Sequence, residues 1–363
     1  MKFTCLTTHL QRALGIAERF TGKNLTLPVL SSVLLDVSKN TLRVRATNLE
    51  HAVEITIAGT GAHEGRVVVP ARVASQLIQS VGDARVDLEE RHGSLLVCTR
   101  GRETKINGLN PEEFPLIPKV TPVAVATMDG AVLGRGIASV LPAVSLSEFK
   151  PELCGVLFHL ASHEVRCAAT DTFRLAEFRA RYTGDAGKGM SFIIPQRIGQ
   201  EMGRILTTSE EVTITMGDNQ ALFETVDVRV LSRLIEGTFP EYGGIIPKNF
   251  ESSCYLKRTD LLSAVKAASI FSSKLQEVTL SFAKKSVSIA ARNAEVGEYI
   301  TEIPTVITGK ERVVSFNYHY LLDGLNLLTE DECFFGINGE AAPGMIRNKA
   351  DGSILYVMMP IRI

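Results

Sequence analysis

Val67-Val68-Val69-Pro70-Ala71-Arg72-Val73 decides the fold, because the chain repeats it. It returns 125 residues later as Phe192-Ile193-Ile194-Pro195-Gln196-Arg197-Ile198, with proline at the matching position. A third version starts at Val313 and has Asn317 where the others have proline. In each version an apolar run is followed by proline or asparagine and then by a helical pattern. This order predicts a strand that leads directly into a helix. Self-similarity at a fixed spacing indicates a repeated structural unit.

A second motif marks where the units end. Residues 114–119 (FPLIPK) recur, with four extra residues, as residues 239–248 (FPEYGGIIPK). Proline suits such a boundary because it fixes φ and lacks the N–H that sheet pairing needs. An amphipathic pattern around Leu10, Leu133 and Leu261 opens each unit with a helix. We therefore predict three copies of one domain, spanning residues 1–121, 122–250 and 251–363.

Each copy is expected to contain two helices and two groups of strands, which makes the fold α+β with helices packed on antiparallel sheets. In the first copy the helices are predicted from about His9 to Phe20 and from Pro70 to about Val81. The expected buried face of the second helix consists of Val73, Leu77, Ile78 and Val81. Three copies predict six helices.

Composition sets the broad class of the protein. Of its 363 residues 45% are hydrophobic and 22% are charged, which is typical of soluble globular chains. The net charge is −1, so any basic surface must be local and balanced by acidic residues elsewhere. The six cysteines form no C-x-x-C pair and most lie in apolar runs, which favours free thiols in a reducing compartment. We expect a cytoplasmic protein without a membrane span.

Motifs of enzyme chemistry are missing from the sequence. It contains no Walker A loop, no G-x-G-x-x-G between a strand and a helix, no H-E-x-x-H and no G-x-S-x-G elbow. The seven histidines do not cluster at metal-ligand spacing. We therefore expect no catalytic residue, no metal and no cofactor.

Residues 169–176 (ATDTFRLA) place polar side chains inside an apolar run near the middle of the chain. The pattern predicts a strand from Glu164 to Ala169, a polar corner from Asp171 to Phe173 and a returning strand. Thr170 and Asp171 can hydrogen-bond the backbone of the corner. The simplest interpretation is a hairpin corner with no other role. The alternative is a functional site.

These motifs, in this order, resemble the bacterial sliding clamp family, the beta subunits of replicative DNA polymerases. The resemblance covers the whole chain. It includes residues 1–4 (MKFT), 26–30 (TLPVL), 169–176, 239–242 (FPEY) and 356–363 (YVMMPIRI). It implies a DNA clamp fold: a head-to-tail homodimer closed into a ring, with helices lining a central hole and sheets outside.

The resemblance also implies function. Such a ring encircles double-stranded DNA without reading its sequence and tethers the replicative polymerase, which confers processivity without bond chemistry. The implied partners are DNA, a second copy of the chain, the polymerase catalytic subunit and the clamp loader complex. The resemblance also implies, as partners, other polymerases and repair proteins that carry short clamp-binding motifs.

Three groups of site residues follow from the resemblance. The peptide-binding pocket maps onto Leu153, Thr170, Thr172, Phe173, Arg174, Leu175, Pro240, Ile245, Pro343, Val357, Met358, Met359, Pro360 and Ile361, with Arg362 and Ile363 at its rim. The DNA contacts map onto Lys23, Arg72, Lys150, Arg197 and Arg204, followed by Arg12 and Arg135. The dimer contacts map onto Arg100, Arg102, Lys105, Ile106 and Leu109 on one edge, and Ile270, Phe271, Glu295 and Glu298 on the other.

The chain departs from its relatives at several functional positions. Phe173 stands where many have histidine or tyrosine, and Gly244 stands where some have arginine. Pro151 and Glu152 replace aromatic residues of a loop that contacts DNA in some members. Two other hypotheses remain open: a repeat-built scaffold that binds peptides but does not encircle DNA, and an enzyme whose site has no familiar motif.

Overall fold

The computed structural model describes residues 1–22, 27–161, 163–182, 189–207 and 210–362. Lys23, predicted to contact DNA, and Ile363, predicted at the pocket rim, lie outside these ranges. The described chain forms two compact units. The first contains residues 1–130 and 210–234, and the second contains residues 131–182, 189–207 and 235–362.

The predicted six helices are confirmed within the described ranges. They are α1 (Thr7–Arg19), α2 (Ala71–Gln79), α3 (Gly130–Val140), α4 (Gln196–Ile205), α5 (Arg258–Ser269) and α6 (Tyr318–Leu327). Helix α1 packs against α2, and α5 packs against α6. None of the helices in these ranges combines the length and the apolar character that crossing a membrane requires.

Strands make up most of the remaining regular structure. In chain order they are β1 (Lys2–Leu6), β2 (Ser32–Ser38), β3 (Thr41–Thr47), β4 (His51–Ala58), β5 (Thr60–His63), β6 (Gly65–Pro70), β7 (Arg85–Arg91), β8 (Ser94–Thr99), β9 (Arg102–Asn107), β10 (Ala124–Asp129), β11 (Gly155–Ala161), β12 (Glu164–Thr170), β13 (Arg174–Arg181), β14 (Met190–Pro195), β15 (Glu211–Met216), β16 (Gln220–Glu224), β17 (Val228–Arg233), β18 (Ser252–Lys257), β19 (Glu277–Ala283), β20 (Ser286–Asn293), β21 (Gly297–Pro304), β22 (Thr308–Gly309), β23 (Arg312–Asn317), β24 (Glu332–Ile337), β25 (Gly344–Asn348) and β26 (Ile354–Met358).

The strands form two sheets in each unit. The first unit has a five-stranded sheet, β5-β1-β7-β8-β9, and an eight-stranded sheet, β10-β15-β16-β17-β4-β3-β2-β6. The second has a nine-stranded sheet, β14-β11-β12-β13-β26-β25-β24-β18-β22, and a four-stranded sheet, β21-β20-β19-β23. The larger sheets each take strands from two sequence repeats, because β17 pairs antiparallel with β4 and β13 pairs antiparallel with β26.

The core combines aliphatic side chains with buried phenylalanine rings and includes most of the thiols. Cys5, Cys167, Cys254 and Cys333 are buried, and all six cysteines are free, as predicted. Burial raises the pKa of the Cys254 thiol to about 12 and that of the Cys333 thiol to about 11. These groups therefore remain protonated and unreactive at neutral pH.

The predicted buried face of α2 is partly wrong. The helix buries Ala71, Ala74, Ser75 and Ile78, whereas Val73 is 50% exposed. Because β6 runs into α2 through Pro70, the direction of that strand sets which side of the helix meets the sheet. The apolar pattern alone does not contain this information.

Gly134 on α3 offers a test of the helix packing. A Cβ atom at this position would lie 2.0 Å from the carbonyl oxygen of Leu206, whereas a Cβ atom at Gly203 on α4 would meet nothing within 4 Å. We expect Gly134→Ala to lower the free energy of unfolding by about 1–3 kcal/mol, because the backbone at Leu206 would have to move to make room for the added methyl group. Gly203→Ala, the matched control, should raise it by about 0.5–1 kcal/mol. Urea denaturation of both variants measures the difference, and equal effects would contradict this packing.

Candidate functional site

The corner between β12 and β13 is fixed by its own side chains, as predicted. The Thr170 hydroxyl donates to the Arg174 carbonyl oxygen at 2.6 Å. Asp171 Oδ1 accepts from the amides of Phe173 and Arg174 at 3.0 and 2.9 Å. Thr172 adopts a left-handed conformation with φ of 79°. The corner thereby satisfies its amides locally and leaves the Phe173 side chain 59% exposed.

The last strand of the chain lies directly beside this corner. In the β13–β26 pair, Arg174 is opposite Met358 and Leu175 is opposite Val357. The Met359 amide continues the pairing by donating to the Phe173 carbonyl oxygen at 2.8 Å. The corner and residues 357–359 therefore form one continuous surface.

A cavity of about 340 Å³ opens beside the corner, entirely within the second unit. Its walls come from four segments, around residues 150–153, 170–175, 238–245 and 357–359. The lining residues are Lys150, Glu152, Leu153, Thr170, Thr172, Phe173, Arg174, Leu175, Thr238, Pro240, Tyr242, Ile245, Val357 and Met359. A largely apolar cleft of this size with a few polar groups suits a small ligand or a few peptide side chains.

The structure brings together ten of the residues predicted for the pocket: Leu153, Thr170, Thr172, Phe173, Arg174, Leu175, Pro240, Ile245, Val357 and Met359. Lys150, predicted to contact DNA, also lines the cavity. Sequence reasoning did not assign Glu152, Thr238 or Tyr242 to the pocket. Tyr242 belongs to the FPEY motif at 239–242, so the signal for it was present.

The other predicted pocket residues lie elsewhere. Pro343 lines a separate shallow depression that also includes Ile245. Met358 is wholly buried, because strand alternation turns it away from the side of Met359, so its prediction as a lining residue is corrected. Pro360, Ile361 and Arg362 are absent from the lining, and the Ile361 amide donates to the Ser315 carbonyl oxygen at 2.8 Å.

Arg174 is held by partners within the chain. Its Nε atom donates to Asp171 Oδ2 at 2.8 Å and its Nη1 atom donates to Asp323 Oδ2 at 2.5 Å. The guanidinium lies 4.4 Å from the centre of the Tyr320 ring and 3.4 Å from the Tyr356 hydroxyl. Burial alone would lower the pKa of Arg174, but Tyr356 and the two carboxylates raise it overall. Arg174 therefore ties the corner to α6 and β26 as a permanent cation.

The cavity lacks an arrangement suited to bond chemistry. Arg174, the arginine in its lining, is engaged with Asp171 and Asp323, while Lys150 is exposed and Glu152 is half-buried. Among the residues that the structure describes, no three histidine, cysteine, aspartate or glutamate side chains are grouped as metal ligands. What the cavity offers is apolar surface with polar edges, which is suited to binding.

The predicted DNA contacts within the described ranges are all exposed. Arg12 lies on α1, Arg72 on α2, Arg135 on α3, and Arg197 and Arg204 on α4. Lys150, outside the helices, is exposed as well.

Two of these cations carry an acidic partner that reduces their net field, and a third lies over an aromatic ring. Arg12 forms an ion pair with Asp227. Arg204 Nη1 lies 2.6 Å from Glu201 Oε1, and the Arg135 guanidinium lies 5.3 Å from the centre of the Phe178 ring. Arg12 and Arg204 attract phosphates more weakly for this reason, because a carboxylate already compensates part of their charge.

The first predicted dimer edge is β9, the terminal strand of the five-stranded sheet. Arg100, Arg102 and Lys105 are exposed at this edge. Ile106 is buried in its own unit, and Leu109 is half-buried with its amide bonded to Val68. The free edge therefore presents mainly cations and unpaired backbone groups.

The second predicted edge is β21, the terminal strand of the four-stranded sheet. Glu295 and Glu298 are exposed there, and Glu298 pairs with Arg292 at 2.8 Å. Ile270 is exposed, and the Phe271 ring stacks on Tyr299 with centroids 6.2 Å apart. This edge combines carboxylates with apolar side chains.

Comparison with known proteins identifies the family. Three domains of the DNA polymerase III beta subunit match the chain: the N-terminal domain over residues 1–118, the central domain over 127–241 and the C-terminal domain over 244–362. A beta sliding clamp of Staphylococcus epidermidis is 28% identical over 375 residues, covering 100% of this chain and 99% of that protein.

Solved structures agree along the whole chain. A sliding clamp of Pseudomonas aeruginosa bound to griselimycin is similar with a TM-score of 0.95, 25% identity and full coverage of both chains. A DNA polymerase sliding clamp of Bacillus subtilis has a TM-score of 0.92 and 25% identity, covering 100% of this chain and 99% of that one. With three matched domains and six helices on antiparallel sheets, the chain belongs to the DNA polymerase III beta subunit family, the non-catalytic sliding clamps.

Proposed function

We propose that two copies of this chain close head to tail into a ring that encircles duplex DNA and tethers the replicative polymerase. The observation that carries the proposal is the end-to-end match to the three beta subunit domains, with all six helices present. Twelve helices about 10 Å wide would give a circle of about 120 Å and a diameter of about 38 Å at the helix axes. A hydrated duplex fits inside.

The two sheet edges support ring closure. Strand β9 leaves a row of backbone groups unpaired beside Arg102 and Lys105, and β21 leaves another beside Glu298. Exposed edges of this kind pair readily with another chain. Opposite charge favours joining β9 of one copy to β21 of the other over joining two like edges.

The exposed arginines support weak, sequence-independent contact with DNA. They project from helices, and Arg12 and Arg204 each keep an acidic neighbour. Partial compensation lowers affinity for phosphates, which favours sliding over fixed binding. We also propose that the three repeated domains end at residues 121, 250 and 363.

The cavity beside the corner supports peptide recruitment. We infer that it takes short segments with a hydrophobic end, carried by the polymerase, the clamp loader complex and other polymerases or repair proteins. Phe173 and Ile245 supply exposed apolar surface at its rim, and Leu175 and Val357 lie deeper. The second candidate function, a peptide-binding scaffold without DNA encirclement, uses the same cavity.

Retention on DNA separates these two functions. After loading onto nicked circular DNA, the protein should remain bound through gel filtration, because a closed ring cannot leave a circle. Linearising the same DNA should release it, because a ring slides off free ends. Equal retention on both DNAs would rule out encirclement and leave the scaffold function.

The exposed arginines of α4 give a prediction about salt. Arg197→Glu combined with Arg204→Glu should weaken DNA association strongly at 50 mM salt and much less at 200 mM, as screening predicts. Lys284→Glu combined with Lys285→Glu makes the same charge change on an exposed hairpin turn and should have little effect. Fluorescence anisotropy with duplex DNA measures both, and equal loss in the two variants would refute the assigned face.

The exposed ring of Phe173 gives a prediction about peptides. Phe173→Ala should weaken binding of a polymerase-derived peptide by about tenfold, because an apolar anchor is lost. Phe149→Ala is the matched control, since Phe149 is 97% exposed and does not line the cavity. Isothermal titration calorimetry measures the affinities. If Phe149→Ala is the more damaging change, the peptide site has been misplaced.

A further inference from the structure

One wall of the cavity lacks regular secondary structure. Residues 236–250, all described by the structure, contain neither helix nor strand, yet Thr238, Pro240, Tyr242 and Ile245 from this segment line the cavity. A hydrogen bond from the Ile245 amide to the Tyr242 carbonyl oxygen, at 2.9 Å, closes a turn within it. Ordering such a segment costs conformational entropy, so interactions with the sheet must hold it in place.

The side chain of Tyr242 makes the polar contact between this wall and the sheet. It is 8% exposed, and its ring meets Phe239 edge to face with centroids 6.0 Å apart. Its hydroxyl donates to Glu177 Oε2 at 2.6 Å. Burial raises the pKa of Tyr242, and the bond to Glu177 raises it further. The hydroxyl therefore stays protonated and available as a donor.

Glu177 is a fully buried carboxylate on β13. Arg179 donates to both of its oxygens, at 2.5 and 3.1 Å, and Arg166 Nε lies 3.9 Å away. Because side chains alternate along a strand, Glu177 shares a face with Leu175, which lines the cavity. A buried carboxylate is costly unless its lone pairs are bonded. Tyr242 supplies one of those bonds and is thereby fixed against the sheet.

We propose that Glu177 is a positioning residue of the peptide cavity, which holds Tyr242 and so keeps the wall at residues 238–245 formed before a ligand arrives. The inference rests on the proposed peptide-binding function and goes beyond it, because Glu177 itself does not line the cavity. A preformed wall spares a ligand the entropy of ordering it. The ligand class remains a short peptide with a hydrophobic end.

A double-mutant cycle on peptide affinity tests the proposal. Tyr242→Phe removes only the hydroxyl that donates, and Glu177→Met keeps the length of the side chain but removes the oxygens that accept. Each single variant should bind the polymerase-derived peptide about tenfold more weakly than the unaltered protein. The double variant should also lose only about tenfold, because both changes remove the same interaction. Losses that multiply to about a hundredfold would overturn the proposal.

Hydrogen exchange in the free protein provides the second readout. The Ile245 amide should exchange faster in Tyr242→Phe, while the amides of β12 and β13 keep their protection. Saturating peptide should restore the protection of the Ile245 amide in this variant. Tyr255→Phe, a hydroxyl deletion on β18 outside the cavity, should change neither exchange nor affinity. Unchanged Ile245 exchange in Tyr242→Phe would refute the positioning role. Absence of peptide binding by the unaltered protein would instead refute the proposed function, and the exchange result would still stand.

Discussion

Backbone pairing between β13 and β26 is the interaction on which the candidate site depends. It joins a strand of the second repeat to a strand of the third through five opposed residue pairs. The pairing fixes the register of the two strands, so the corner at 171–173 and residues 357–359 can meet in only one way. A shift of β26 by one residue would turn Val357 away from the cavity. The site is therefore a product of sheet continuity as much as of its side chains.

Polar groups that are wholly or partly buried secure this arrangement on both sides. Arg174 links the corner to Asp323 on α6 and to Tyr356 on β26, while Glu177 links β13 to Tyr242. Each pair joins segments far apart in sequence. Directional bonds of this kind specify one geometry where apolar contacts alone would tolerate several. The cavity can therefore be apolar and still have a defined shape.

Much of the fold was predictable because its determinants are local. The repeated strand–helix motif located the second helix of each copy, and the amphipathic patterns located the first. Thr170 with Asp171 predicted a corner whose hydrogen bonds are made as expected. Alternation and turn chemistry act over a few residues, so the sequence displays them directly. The ten cavity residues came from family resemblance, since no local pattern brings residues 153, 240 and 357 together.

Contacts between residues far apart in the sequence could not be predicted, for a physical reason. Arg174 pairs with Asp323, which is 149 residues away, and no local sequence pattern indicates this pair. The same holds for Glu177 and Tyr242, which are 65 residues apart. Val73 and Met358 were misplaced because the direction in which an element enters the sheet decides which side chain is buried. Such outcomes depend on tertiary packing, which overrides local periodicity.

The position of β26 in the chain also has a consequence for synthesis. The cavity draws on residues 150–175 and 238–245, but its remaining wall is Val357 and Met359. A growing chain on the ribosome therefore has no complete site until these late residues have emerged and paired with β13. Partner peptides would meet a finished surface only on chains whose third repeat has folded. Completion of the cavity thus requires that the second and third repeats have paired.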